Sequence, residues 1–173
     1  MSTVQSDSFH VSVANEQTRH AVEEEQLIRA VRAVLKQSPF RSAAVSIAVV
    51  DDRTIHDLNR RYLQHDWPTD VLSFVLEDNA GHVEGEVILS ADRAEEVAAE
   101  IGWPAAAEQL LYVIHGALHL VGYRDETPVE SVEMRAAEAE FLREFGLEQL
   151  HGADRREPGG RVAAKGDDGA RTQ

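Results

Sequence analysis

Two histidines, His115 and His119, stand four residues apart in the stretch HGALHLVGYRDE, residues 115–126. On a helix this spacing puts both imidazoles on one face, one turn apart, within reach of a single ion. Zinc accepts neutral histidine nitrogens, and a site kept open for chemistry takes three protein ligands plus a water. Gly122 can end the helix in a left-handed conformation and turn the chain back, which makes Asp125 a third ligand delivered from the loop. Gly116, a poor helix former, allows another backbone to pack beside the site. The bland alternative is a pair of surface or hydrogen-bonded core histidines. However, Leu110, Leu111, Val113, Ile114, Leu118 and Leu120 make the helix apolar nearly all round. Such a helix is buried, and buried imidazoles need partners. The pattern is not the HExxH of zinc proteases, because Gly116 stands where their glutamate base would be. A metal-dependent hydrolase of another substrate, peptides included, is the rival enzyme reading.

The elements that must position these residues follow from periodicity. Residues 9–15 alternate apolar and polar positions and read as a strand. Val22, Leu27, Ile28, Val31, Val34 and Leu35 recur at helical spacing over residues 19–36, with acidic residues early and basic ones late. Residues 43–50 form a β-branched run expected in a central strand. Asp51 or Asp52 caps a short helix through residues 54–63. DWPTD and DNAGH are turns around a third strand at 71–77, and 85–90 is a fourth. Ser90 caps a helix closing at Gly102, and Pro104 opens the long histidine helix. Thr127 and Glu130 have capping-box spacing at the start of a last helix. The order β-α-β-α-β-β-α-α-α predicts an α/β (α+β) fold: one small mixed four-stranded sheet with about five packed helices. The expected domain spans 9–150, between a disordered start (1–8) and a disordered tail (151–173) that is rich in glycine and poor in bulky apolar residues.

Composition narrows the setting. A chain of 173 residues suits one domain with a sizeable core. It holds no cysteine, so disulfides and thiolate metal sites are excluded. No stretch approaches the roughly 20 apolar residues of a membrane span, and the start does not read as a signal peptide; a cytoplasmic protein with no membrane partner is expected. The formal net charge of −14 opposes broad adhesion to nucleic acid or anionic lipid. A bound cation can still reverse the sign of the field inside one cleft.

HGALHLVGYRD resembles the signature HGxLHLxGxDH of the YbeY family of bacterial endoribonucleases. LNRRYLQHDWPTDVLSF, residues 58–74, resembles that family's LNxxYRxxDxPTxVLSF, and GEVILS matches its GDIxIS segment in place and order. The resemblance covers roughly residues 9–146. It implies a compact α/β, metal-dependent endoribonuclease preferring single-stranded RNA. It also implies action at the 3′ end of small-subunit ribosomal RNA and in ribosome quality control, with one zinc-type ion held by three histidines. Carried over by position, the ligands are His115, His119 and Asp125, an aspartate replacing the third histidine, while Arg124 stands where the family has aspartate. A harder oxygen ligand widens the choice of metal beyond zinc.

The family's arginine after the tyrosine is Leu63 here. Arg60 and Arg61, on the same predicted helix, are the guanidiniums that could contact phosphate instead, or else solvated surface residues. Asp66, Thr69, Asp70 and Ser73 are candidates for lining the cleft, although Asp70 and Ser73 could simply satisfy turn backbone. His56, His65 and His82 read as surface histidines, with His65 the one to test for proximity. Few aromatics and no basic stripe imply weak affinity for RNA alone. The expected partners are therefore ribosomal RNA on the small subunit, presented with a ribosomal protein or a ribosome-associated GTPase. A ribosome-assembly factor with a structural metal is the non-catalytic alternative.

Overall fold

The computed structural model describes residues 8–66 and 69–147. Within them the chain runs β1 (Ser8–Asn15), α1 (Glu24–Lys36), β2 (Ser42–Val50), α2 (Asp52–Leu63), β3 (Val71–Asn79) and β4 (His82–Ser90). Three helices follow: α3 (Ala91–Ile101), α4 (Ala105–Leu120) and α5 (Pro128–Arg143). This is the order read from periodicity. The expected disordered ends lie outside the described residues, except Ser8, which opens β1. Among the described residues no helix is long and apolar enough to cross a membrane.

The four strands form one mixed sheet in the order β1-β2-β4-β3. β1, β2 and β4 are parallel, and β3 runs antiparallel to β4 at the edge. Because side chains alternate faces, Val45, Ile47 and Val49 of β2 and Val83, Val87 and Leu89 of β4 enter the main core. Val50, Leu72 and Ile88 fall on the other face, where α2 meets them with Ile55. α4 is the centre of the main core, packed against α1, α3, α5, β3 and β4. Its residues are buried from Ala107 to Leu120.

Two glycines let α4 lie directly on the sheet. A Cβ on Gly116 would sit 2.6 Å from Val87 Cγ1 and 2.9 Å from Ser73 Oγ, and one on Gly85 would sit 2.7 Å from Leu120 Cδ2. Any side chain at position 116 therefore enters the sheet interface. A glutamate base there, as in HExxH, has no room.

Two boundaries differ from the sequence reading. α1 begins at Glu24, not residue 19. The buried Gln17 side chain instead organises the preceding loop, its Oε1 accepting from the Arg19 and His20 amides at 3.0 and 2.9 Å. His20 in turn bonds Asp92 at the start of α3 at 2.9 Å. These local bonds and a tertiary one outcompete the first helical turns. The β3–β4 turn shrinks to Ala80 and Gly81, both with positive φ (46° and 81°). A two-residue turn of that hand matches strand twist, so pairing continues to Asn79 and His82.

Candidate metal centre

α4 delivers the two histidines. It ends as glycine-terminated helices do: Gly122 has φ 105°, its amide donates to the His119 carbonyl at 3.1 Å, and the Tyr123 amide donates to the Leu118 carbonyl at 3.0 Å. The reversed chain brings Asp125 back over the helix end. α5 then starts with the expected capping box, Thr127 Oγ1 accepting from the Glu130 amide at 3.2 Å and Glu130 Oε2 from the Thr127 amide at 3.0 Å. Glu130 Oε2 also accepts from the Glu126 amide at 3.1 Å. Ser131 Oγ donates to the Asp125 carbonyl at 3.1 Å. The loop is thus tied to helices at both ends.

His115, His119 and Asp125 converge. The two Nε2 atoms are 3.0 Å apart, and Asp125 Oδ2 lies 3.4 Å from His115 Nε2 and 3.6 Å from His119 Nε2. A tetrahedral ion with bonds of about 2.0–2.1 Å separates its ligand atoms by about 3.3–3.4 Å. The three edges straddle that value, and the donors suit a borderline divalent cation, so the residues fit the ion. Both imidazoles are buried, whereas the Asp125 side chain is 24 % exposed, leaving the carboxylate side open to solvent.

The remaining ring nitrogens are held from behind. His119 Nδ1 lies 3.0 Å from the Tyr123 carbonyl, which can only accept. His115 Nδ1 lies 2.6 Å from Glu138 Oε1 on α5. When both Nδ1 atoms donate, both Nε2 lone pairs face the shared centre. Glu138 is absent from the sequence-level candidates. Its signal was a carboxylate inside an apolar stripe: Met134, Ala137, Phe141 and Leu142 are its buried companions on α5.

The other candidates occupy varied places. Ser73 Oγ donates to the Gly116 carbonyl at 3.1 Å, which puts it in the sheet interface one residue from His115. Thr69 and Asp70 are buried in the loop just before β3. Asp70 Oδ1 lies 3.4 Å from Arg93 Nε, and its carbonyl accepts from the Ser90 amide. Asp66 is exposed and bonds His56 at 2.8 Å. Arg60 and Arg61 are exposed, and Arg60 pairs with Asp57 at 3.0 Å on the same helix. His65 is half-buried, and His82 bonds Ser42 Oγ at 2.7 Å.

Two carboxylates at helix starts are held below their ordinary values. Asp51 caps α2 and is held below its ordinary value by the Thr54 hydrogen bonds. Asp92 is lowered chiefly by the Asp52 amide, which it accepts at 2.9 Å, and further by His20 and Arg19.

A family model described as endoribonuclease YbeY matches residues 12–146. The chain is 40 % identical over 131 residues to the endoribonuclease YbeY of Rhodopirellula baltica, covering 70 % of this chain and 68 % of that protein. It is 39 % identical over 157 residues to that of Geobacillus thermodenitrificans, covering 84 % and 98 %. A solution structure from Thermotoga maritima matches with a TM-score of 0.53 at 23 % identity, over 86 % of this chain and 99 % of that one, a likeness of fold. The matched span holds both histidines, Asp125 and Glu138, and the chain belongs to the endoribonuclease YbeY family.

Proposed function

We propose that this protein is a metal-dependent endoribonuclease that cuts single-stranded RNA in ribosomal RNA maturation, at the 3′ end of the small-subunit RNA, and in ribosome quality control. Zinc, one per chain, is the proposed ion, held by His115, His119 and Asp125. The convergence of their three ligand atoms within 3.0–3.6 Å carries the reading, and family membership supplies the substrate class.

Bound there, a divalent ion stabilises charge on a phosphoryl group and lowers the pKa of a water. The chain's own residues do the rest. Tyr123 and Glu138 keep Nδ1 of each histidine occupied, so that each Nε2 is free to ligate. Asp125 contributes one negative charge, which makes the centre less electrophilic than three imidazoles would. Arg61 or Arg60 contacts phosphate; the Arg60–Asp57 pair is exposed and worth little, so substrate can displace it. Asp66, Thr69, Asp70 and Ser73 line the approach or support it, Ser73 by fixing β3 against α4. The nucleophile is a water or the RNA's own 2′-hydroxyl, and product ends distinguish them, a 2′,3′-cyclic phosphate marking the second.

The net charge of −14 opposes tight binding of naked RNA. The proposed setting is therefore cytoplasmic, on the small ribosomal subunit, with a ribosomal protein or ribosome-associated GTPase presenting the substrate. The test is RNA cleavage by protein of measured zinc content, beside His115→Ala and His119→Ala. Loss of cleavage and of bound zinc in both variants is expected. Cleavage retained by both overturns the proposal, and ribosome co-sedimentation without any cleavage in wild type points to the assembly-factor alternative.

A further inference from the structure

We infer that Glu138 is a positioning residue for the metal centre, acting through His115, and that α5 sets the geometry of two ligands at once. The inference rests on reading His115, His119 and Asp125 as ligands of a divalent ion. Glu138 is 3 % exposed, and its Oε1 stands 2.6 Å from Nδ1 of a histidine that is 2 % exposed. Seven residues earlier on the same helix, Ser131 Oγ holds the Asp125 carbonyl. α5 therefore grips one ligand by its ring and another by its backbone, and any shift of α5 moves His115 and Asp125 together.

The two histidines are not equivalent. His119 is backed by a neutral carbonyl and His115 by a carboxylate. A carboxylate behind an imidazole fixes the tautomer, orients the ring and makes the distal nitrogen a stronger donor. The dry surroundings keep that effect from being screened. Together with Asp125, Glu138 gives the cluster two carboxylates against one dication, one directly and one through a ring. A purely mechanical tether between α4 and α5 would require hydrogen bonding only, and that difference can be measured.

The experiment titrates the metal-free full chain with Zn2+ against a competing chelator, and with Co2+ as a spectroscopic reporter, for wild type, Glu138→Ala and Glu138→Gln. Circular dichroism and melting of the metal-free proteins establish that each variant is folded. Expected is a roughly 10–100-fold loss of zinc affinity for Glu138→Ala. Glu138→Gln keeps an acceptor for Nδ1 without the charge and falls between Ala and wild type, with Co2+ bands displaced from wild type in both. If Glu138→Ala does not fold, Glu138→Gln decides alone. Folded variants that bind zinc within twofold of wild type, with unchanged Co2+ spectra, overturn this inference and leave the metal reading standing. A wild-type chain that takes up neither ion overturns both.

Discussion

Replacing Gly116 by alanine tests how closely the histidine helix must rest on the sheet. The added carbon would lie 2.6 Å from Val87 Cγ1, 3.2 Å from Val87 Cγ2 and 2.9 Å from Ser73 Oγ. Carbon atoms pack at about 3.5–4.0 Å, so the overlap with Val87 is about 1 Å. Neither neighbour can yield cheaply. Val87 is fully buried in β4, between β2 and β3, with a β-branched side chain restricted at χ1. Ser73 Oγ is held by its bond to the Gly116 carbonyl. Overpacking of this kind costs about 1–3 kcal/mol, while alanine regains about 1 kcal/mol in helix propensity over glycine. With neither neighbour free to move, the overpacking cost sits in the upper part of that range, about 2–3 kcal/mol, so the expected net loss is about 1–2 kcal/mol. For a chain of this size that lowers Tm by roughly 2–8 °C, read by calorimetry on metal-free protein. Relief of the clash lifts α4 from the sheet, while α5 continues to hold the Asp125 loop. Zinc affinity should therefore fall as well. Propensity alone predicts the opposite sign, so a metal-free Gly116→Ala protein as stable as wild type, or more stable, refutes the packing argument.

Two further predictions concern helix starts. Thr127→Ala removes the N-cap acceptor of α5 and should cost about 1 kcal/mol in urea unfolding, with weaker zinc binding because the Asp125 loop loses part of its anchor; equal stability and affinity would contradict the capping role. Asp92 has a folded-state pKa below its unfolded value of about 3.9, so its stabilisation is present above about pH 4 and disappears as pH falls through the folded value. Asp92→Asn should be less stable than wild type at neutral pH, with the gap closing below about pH 4. A gap that stays constant from pH 7 to pH 3 would rule out this carboxylate as its source.

Local rules made much of the fold legible. The Ser90 cap and Gly102 stop of α3 are as read, as are the Thr127–Glu130 capping box of α5 and the Gly122 reversal. Each depends on bonds within a few residues, which the chain order already contains. The start of α1 at Glu24 departs from periodicity for the converse reason. Residues 19–23 satisfy helical periodicity, but Gln17 and the distant Asp92 offer the same backbone and His20 better partners. The turn at Ala80 and Gly81 is tighter than the polar run around it suggested, because strand pairing across β3 and β4 draws neighbouring residues into the ladder.

The sequence by itself determined the candidate donor set: two imidazoles at one-turn spacing on an apolar helix, a glycine to turn the chain, and a carboxylate on the returning loop. Helical geometry and a short loop constrain those positions without reference to the rest of the molecule. Tertiary structure decided what stands behind the donors and what approaches them. Glu138 reaches His115 across 23 residues of chain because α5 packs on α4. Ser73 reaches Gly116 across 43 because α4 lies on the β3–β4 pair. Arg60 and Arg61 stay on an exposed helix surface, with Arg60 paired to Asp57 on the same helix. Such pairings depend on which faces of separate elements are buried together, a property of the packed core that no local spacing encodes.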